Sequence, residues 1–188
     1  MQDYRFSLTA ANLMVTEFVG LATLLSEKGF DYDQLSPDEV QKDRFATRER
    51  EFRELILRLK TLSQSEVNLM LNSNLDVQKF ISFIACARLY RILSEFIIEV
   101  VWEKILVFDN YLDSRDMGSF IYNKTIDHPE IAKLSESTRK KVQQVIFKML
   151  EQADLIDNVK SKKIQIPYLD VQLLNTLSDL DRKYLLNI

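Results

Sequence analysis

Leu134-Ser135-Glu136-Ser137-Thr138-Arg139-Lys140-Lys141 opens the stretch that decides the fold of the second half of this chain. Ser135 and Ser137 are both helix-cap candidates, and Val142, Val145, Ile146, Met149 and Leu150 then recur at helical spacing. A helix with one inward face is therefore expected to end near Gln152. Leu155-Ile156-Asp157 follows, then Lys160-Ser161-Lys162-Lys163, then Ile164-Gln165-Ile166, with Pro167 ending the second apolar run. A helix with a basic first turn, a short strand, a basic loop and a second strand is the outline of a winged helix.

Charge singles out the same stretch. Between residues 131 and 168 eight basic side chains stand against four acidic ones, in a chain of formal net charge -3. A helix N-terminus favours acids, so Arg139, Lys140 and Lys141 gain little locally from their placement. Their cations, the exposed amides of that turn and the hydroxyls of Ser137 and Thr138 instead make a receptor for phosphate. Gln143, Gln144 and Lys148 follow with outward spacing. In a major groove, Gln144 and Arg139 are chemically competent to read adenine and guanine edges. Lys160, Lys162 and Lys163 at the loop tip are placed to track a phosphate backbone. Two readings compete with this one: an ordinary solvated basic loop, and a dock for an acidic protein partner.

Working outward, helical periodicity dominates the remainder. Ser7-Leu8-Thr9 is expected to cap a first helix carrying Leu13, Phe18, Leu21 and Leu25. Ser36-Pro37-Asp38-Glu39 reads as the start of a short helix that ends before Asp43. A charged helix over about 46–62 has Phe52, Leu55, Ile56 and Leu59 on its apolar face and Arg48, Arg50, Arg53, Arg58 and Lys60 opposite. Those arginines are either solvated, salt-bridged surface or a secondary nucleic-acid contact. Helices bearing Phe80, Phe83, Ile84, Ala87, Leu89 and Tyr90, then Leu93, Phe96, Ile97, Val100, Val101 and Trp102, are apolar over a wide arc and belong at the centre of a bundle. Tyr90 and Trp102 read as core residues with a polar edge at the surface. The expected fold is mainly α. A helical bundle spans 1–108, and a small winged-helix-like domain with a short β-hairpin and C-terminal short helices spans 109–188.

Composition removes several function classes. With 188 residues, 46% of them hydrophobic and 28% charged, the chain has an ordinary globular balance. Cys86 is the lone cysteine, so no intrachain disulfide forms, and its apolar neighbours make it a buried small hydrophobe in a reducing cytoplasm. His128 is the lone histidine and reads as a loop-capping or surface residue. No metal cage, Gly-rich phosphate loop or nucleophile constellation is present, so neither catalysis, a cofactor nor a small-molecule substrate is expected. Met1-Gln2-Asp3-Tyr4-Arg5 lacks the features of a signal peptide. The apolar run over 96–108 is broken by Glu99, Glu103 and Lys104, well short of the roughly 20 apolar residues of a membrane span, and reads as a buried helix.

Read together, early, central and late motifs resemble the BrxA family of bacteriophage-exclusion (BREX) defence proteins over nearly the whole length. They are Tyr4-Arg5-Phe6-Ser7-Leu8-Thr9, Arg58-Leu59-Lys60-Thr61-Leu62, Ala87-Arg88-Leu89-Tyr90-Arg91-Ile92-Leu93-Ser94-Glu95-Phe96, Val100-Val101-Trp102-Glu103-Lys104, His128-Pro129-Glu130, the 134–141 stretch and Met149-Leu150-Glu151-Gln152-Ala153-Asp154-Leu155-Ile156. The resemblance implies a non-enzymatic, duplex-DNA-binding accessory of phage defence. Its front part would be similar to the helical bundle of antitermination factors, and its rear part to a winged helix. An older inner-membrane label attached to some family members finds no support in these broken apolar runs. Two alternatives stay open: a protein–protein scaffold joining other BREX components, and an RNA-binding helical bundle.

Overall fold

In the computed structural model, residues 4–40 and 44–187 are described; the lead Met1-Gln2-Asp3 and the end of the short helix expected before Asp43 lie outside them. The centre of the bundle is α4 (Leu75–Leu89), capped by Asn74, with all but five of its positions buried. A helix buried nearly all round must be packed on several sides. Around it stand α1 (Val15–Glu27), α2 (Phe45–Leu59) and α3 (Gln64–Leu71), the last opened by a reciprocal Ser63/Glu66 capping box. Tyr90 is extended (φ -107°, ψ 94°) and breaks the chain before α5 (Arg91–Phe96), which runs through a wide turn, Ile97–Val101, into α6 (Trp102–Leu106). Pro37–Glu39 is a single tight turn, with no side-chain cap from Ser36.

The first helix departs from expectation. Ser7–Ala10 is one 3-10 turn, and α1 starts only at Val15, after Met14 in the left-handed region (φ 52°). The cause lies in Arg58, which its charge assigns to the outer face of α2 but which stands one turn from Leu55 and is fully buried. Its Nη2 donates to the Ala11 carbonyl (2.6 Å), and its Nη1 donates to those of Asn12 (2.7 Å) and Leu13 (3.2 Å). Its Nε donates to the Tyr90 hydroxyl (3.1 Å), which donates in turn to Glu54 Oε2 (2.7 Å). Carbonyls that converge on one guanidinium cannot continue a helix. Tyr90 therefore keeps its polar edge inside the core, where burial pushes its phenol well above the ordinary range. Trp102 is buried, and its Nε1 donates to the Lys183 carbonyl (2.9 Å). Burial likewise raises the Cys86 thiol.

The second half contains α7 (Ser114–Asp127), α8 (Pro129–Ala132), α9 (Glu136–Gln152), α10 (Val171–Thr176) and α11 (Asp179–Tyr184). The expected β-hairpin is not built, and no strand forms among the described residues. The arms meet at one antiparallel bridge, Ile156 with Ile164, and a second bridge joins Lys163 to Tyr111. Left-handed residues at Asp154 (φ 55°) and Lys162 (φ 53°) turn the chain out of extended form, and the Asp157 side chain takes the Lys163 amide (2.8 Å). The C-terminal helices return to the bundle, α10 against α3 and α11 against α4, so one buried core runs from Tyr4 to Leu186.

Arg88 fastens that return. Its guanidinium reaches Glu66 (2.5 Å) on α3 and Asp181 (2.8 and 2.9 Å) on α11, and donates to the Thr61 carbonyl (2.8 Å). Burial opposes ionisation of Glu66 and Asp181, yet the hydrogen bonds from Arg88 and from Ser63 or Ser178 outweigh it and hold both carboxyls below the usual range.

Replacing Arg58 by Met leaves the Tyr90 hydroxyl and three carbonyls without their shared donor, and Glu54, held by Tyr90, without its nearby buried cation. Breaking a buried charged network from one side costs about 3–5 kcal/mol, and urea unfolding should show a loss of that size. A loss under about 1 kcal/mol, the worth of one ordinary hydrogen bond, would refute the network's role.

The Arg88 clamp also gives a pH dependence. Because both carboxyls ionise at lower pH in the folded chain than in the unfolded one, its stabilisation is complete above the ordinary carboxylate range, about pH 4. It is lost as pH falls through the depressed folded values. The fluorescence of the single tryptophan, Trp102, bonded to the backbone of α11, should report release of that helix in acid. In a Glu66→Gln, Asp181→Asn variant, that acid transition should disappear.

Candidate nucleic-acid interface

Ser135 is the cap of α9: its Oγ accepts from the Thr138 amide (3.2 Å) and shares hydrogen bonds with the hydroxyls of Ser137 (2.9 Å) and Thr138 (2.8 Å). Those two hydroxyls are thus already engaged. Val142, Val145, Ile146, Phe147, Met149 and Leu150 are buried, which fixes the outward face. Ser137, Lys141, Gln144 and Lys148, spaced by four, three and four residues, form one exposed stripe along it.

The cations fall into two groups. Arg139 turns back: its Nη2 donates to the Ala132 carbonyl (2.8 Å) at the end of α8, and its Nε is buried without a partner. Lys140 pairs with Glu136 (2.6 Å), and Lys148 with Glu151, and these contacts hold both carboxyls below the usual range. Lys141, Lys160 and Lys163 are exposed and make no ion pair among the described residues.

The basic loop is a fixed structure. Asn158 Oδ1 accepts from the amides of Lys160 (2.9 Å) and Ser161 (3.0 Å), its carbonyl accepts from that of Lys162 (2.9 Å), and Glu151 Oε1 takes the Val159 amide (3.1 Å). The Ser161 hydroxyl donates to Asp157 and lowers its carboxyl. Lys162 is half-buried, with its Nζ 5.4 Å from the Phe147 ring centre and donating to the Lys160 carbonyl (3.2 Å). Loop and helix enclose a cleft of about 440 Å³ lined by Ser114, Gln143, Gln144, Phe147, Lys148, Val159 and Lys162. Gln144, Lys148 and Lys162 are thereby brought together, whereas Lys163 lies on another cleft beside Tyr168 and Asp154.

On α2 the expected secondary patch is reduced. Arg58 is internal, Arg48 pairs with Asp38 (3.1 Å) and lies over the Phe45 ring, and Arg53 Nε donates to the Glu49 carbonyl (3.3 Å). Arg50 stays exposed. Sequence reasoning passes over three members of the α9–loop cleft, Ser114, Phe147 and Val159. It also misses the third arm, in which the Asn110 carbonyl accepts from the Ile164 amide (2.8 Å) and the Leu112 amide donates to the Lys162 carbonyl (3.0 Å). The alternation of exposed Tyr111 with buried Leu112 is the available signal. Among the described residues no three metal-capable side chains are grouped, and no helix is long and apolar enough to cross a membrane.

These features define a helical-bundle protein that carries a helix-and-loop unit with an exposed cationic rim. The BrxA family model matches residues 2–181, and the chain belongs to the BrxA family. A BREX protein BrxA of Bacillus cereus (strain H3081.97) is 24% identical over 176 residues, covering 90% of this chain and 88% of that relative. The crystal structure of an uncharacterized protein from Magnetospirillum magneticum has the same fold (TM-score 0.81, 16% identity, 98% of this chain and 97% of that one).

Asn158→Ala removes two main-chain hydrogen bonds worth about 1 kcal/mol each. Amide exchange at Lys160, Ser161 and Lys162 should accelerate, with global stability falling by no more than about 2 kcal/mol; unaltered exchange would show that Asn158 does not hold the loop.

Proposed function

We propose that this BrxA-family chain is a duplex-DNA-binding, non-catalytic component of a BREX phage-defence system, acting in the cytoplasm. The bundle, with α10 and α11 returned to it, is its rigid body, and the unit of α7, α8, α9 and the basic loop faces the DNA. The observation that carries this reading is the convergence of α9 and the basic loop. Two separate segments contribute cations, Lys148 and Lys162, to the same rim, with the exposed Lys141 and Lys160 on those same two segments and Lys163 on the neighbouring cleft. The order α7, α8, α9, loop, with the 110–112 arm beside the 162–164 arm, further supports a winged-helix-like docking in which α9 lies along a groove and the loop touches the backbone. Lys141 and the Ser137 end of the exposed stripe meet phosphates, and Gln144 meets base edges.

Reversing charge at Lys141, Lys160 and Lys163 should weaken duplex binding without unfolding the chain, because none of the three makes an ion pair among the described residues. The slope of log affinity against log salt should shrink by about 0.9 for each phosphate no longer neutralised, measured by fluorescence anisotropy with duplex RNA as competitor. Unchanged affinity in a folded variant would remove this face from the reading. The scaffold alternative would then lead, on the exposed Leu106-Val107-Phe108 run.

A further inference from the structure

The cleft between α9 and the loop offers more than positive charge. Its lysines are engaged, Lys148 with Glu151 and Lys162 with the Lys160 carbonyl and the Phe147 ring. The carboxamides of Gln143 and Gln144 on the α9 wall make no hydrogen bond among the described residues. Val159, from the loop side, is the exposed apolar side chain of the same cleft, and Phe147 lies buried at its floor beneath Lys162.

We infer that this cleft reads A·T base pairs from the major groove, a glutamine carboxamide meeting adenine and the exposed Val159 side chain receiving the thymine methyl. The inference rests on duplex DNA lying along α9 as proposed above. A carboxamide presents a donor and an acceptor side by side, which matches the N6 donor and N7 acceptor of adenine. Guanine shows two acceptors at that edge, so one of the two bonds becomes a repulsion. The cations that would favour guanine are the ones already held by Glu151 and by the loop carbonyl. Thymine carries a methyl group at the major-groove edge that cytosine lacks, and an apolar surface beside a free amide distinguishes the two.

The test uses the full chain and four duplexes of one length: A·T, A·U in which deoxyuridine replaces thymidine, G·C, and inosine·C. The A·T duplex should bind roughly five- to a hundredfold tighter than G·C, the range one bidentate base contact supplies. Loss of the thymine methyl should weaken binding about fourfold, the worth of one buried methyl-sized group. Gln144→Ala should remove most of the A·T preference and leave the methyl effect, whereas Val159→Ser should do the reverse. Inosine·C has the minor groove of A·T and a major groove close to that of G·C. Binding to it as tight as to A·T would place the readout in the minor groove and overturn the inference. Equal affinity for A·T and G·C overturns it too, and leaves duplex binding standing. Failure to bind any of the four overturns the duplex-DNA reading itself.

Discussion

The guanidinium of Arg58 is the point on which the arrangement of this chain turns. Taking an arginine out of water is expensive, and the structure offsets that loss only because every neighbour supplies an acceptor. The Ala11, Asn12 and Leu13 carbonyls have no helical partners, so they are the acceptors that a buried fork can gather. Because those residues stay out of a helix, the Leu13 amide is free to donate to Gln152 Oε1 (3.0 Å) at the far end of α9. The interior of the bundle is thus connected through three residues of extended chain to the helix that carries the exposed stripe. Tyr90 completes the arrangement from α4's end, since the break in the helix at this residue places its hydroxyl between Arg58 and Glu54.

Much of this architecture is legible in the sequence because apolar periodicity and caps are local properties. The buried face of α9, its Ser135 cap, the wide apolar arc of α4 and the burial of Cys86 all follow from neighbours within one or two turns. Arg58 escapes such a reading for the complementary reason. Its charge groups it with arginines that do face water, although it stands one turn from Leu55, and nothing nearby announces that carbonyls forty-five to forty-seven residues earlier need a donor. The loop fails as a hairpin on similar grounds. Alternating apolar residues promise a ladder, but Asp157 and Asn158 offer the backbone side-chain acceptors that compete with it. Leu106, Val107 and Phe108 end a run that reads as buried, yet they lie where α6 stops and the chain leaves the core.

A count of charges along the sequence likewise overstates some residues and understates others. Arg139 is the most specific phosphate ligand by type, but the structure assigns its donor to the C-terminal carbonyls of α8, where a cation also meets the favourable end of a helix dipole. Lys140 and Lys148 are tied to acids one turn away, in surface pairs that water weakens. A phosphate can displace the exposed Glu136 from Lys140, whereas Glu151 is half-buried and also bonded to the Val159 amide, and detaching Arg139 would uncap α8. Lys141, Lys160 and Lys163 have no ion-pair partner to displace among the described residues. The usable cationic surface is therefore smaller than the local excess of four positive charges and lies nearer the loop.

Rigidity decides what this surface is suited to recognise. A loop whose amides are all unsatisfied would have to be ordered at the moment of contact, with about 1–2 kcal/mol lost for each residue fixed. Here Asn158, Asp157 and Glu151 hold the loop amides in place beforehand. At the C-terminal end of α9, Gln152 is bonded to Leu13, and Asp154 is bonded to Lys79 of α4 (2.5 Å). Helix and loop consequently stand at a fixed angle to each other and to the bundle. A fixed pair of elements loses little conformational freedom on meeting a regular duplex, but it cannot wrap around an irregular partner. The same bonds that fix this geometry engage Lys148 and Lys162 at the cleft, leaving carboxamides and an apolar surface as its open chemistry.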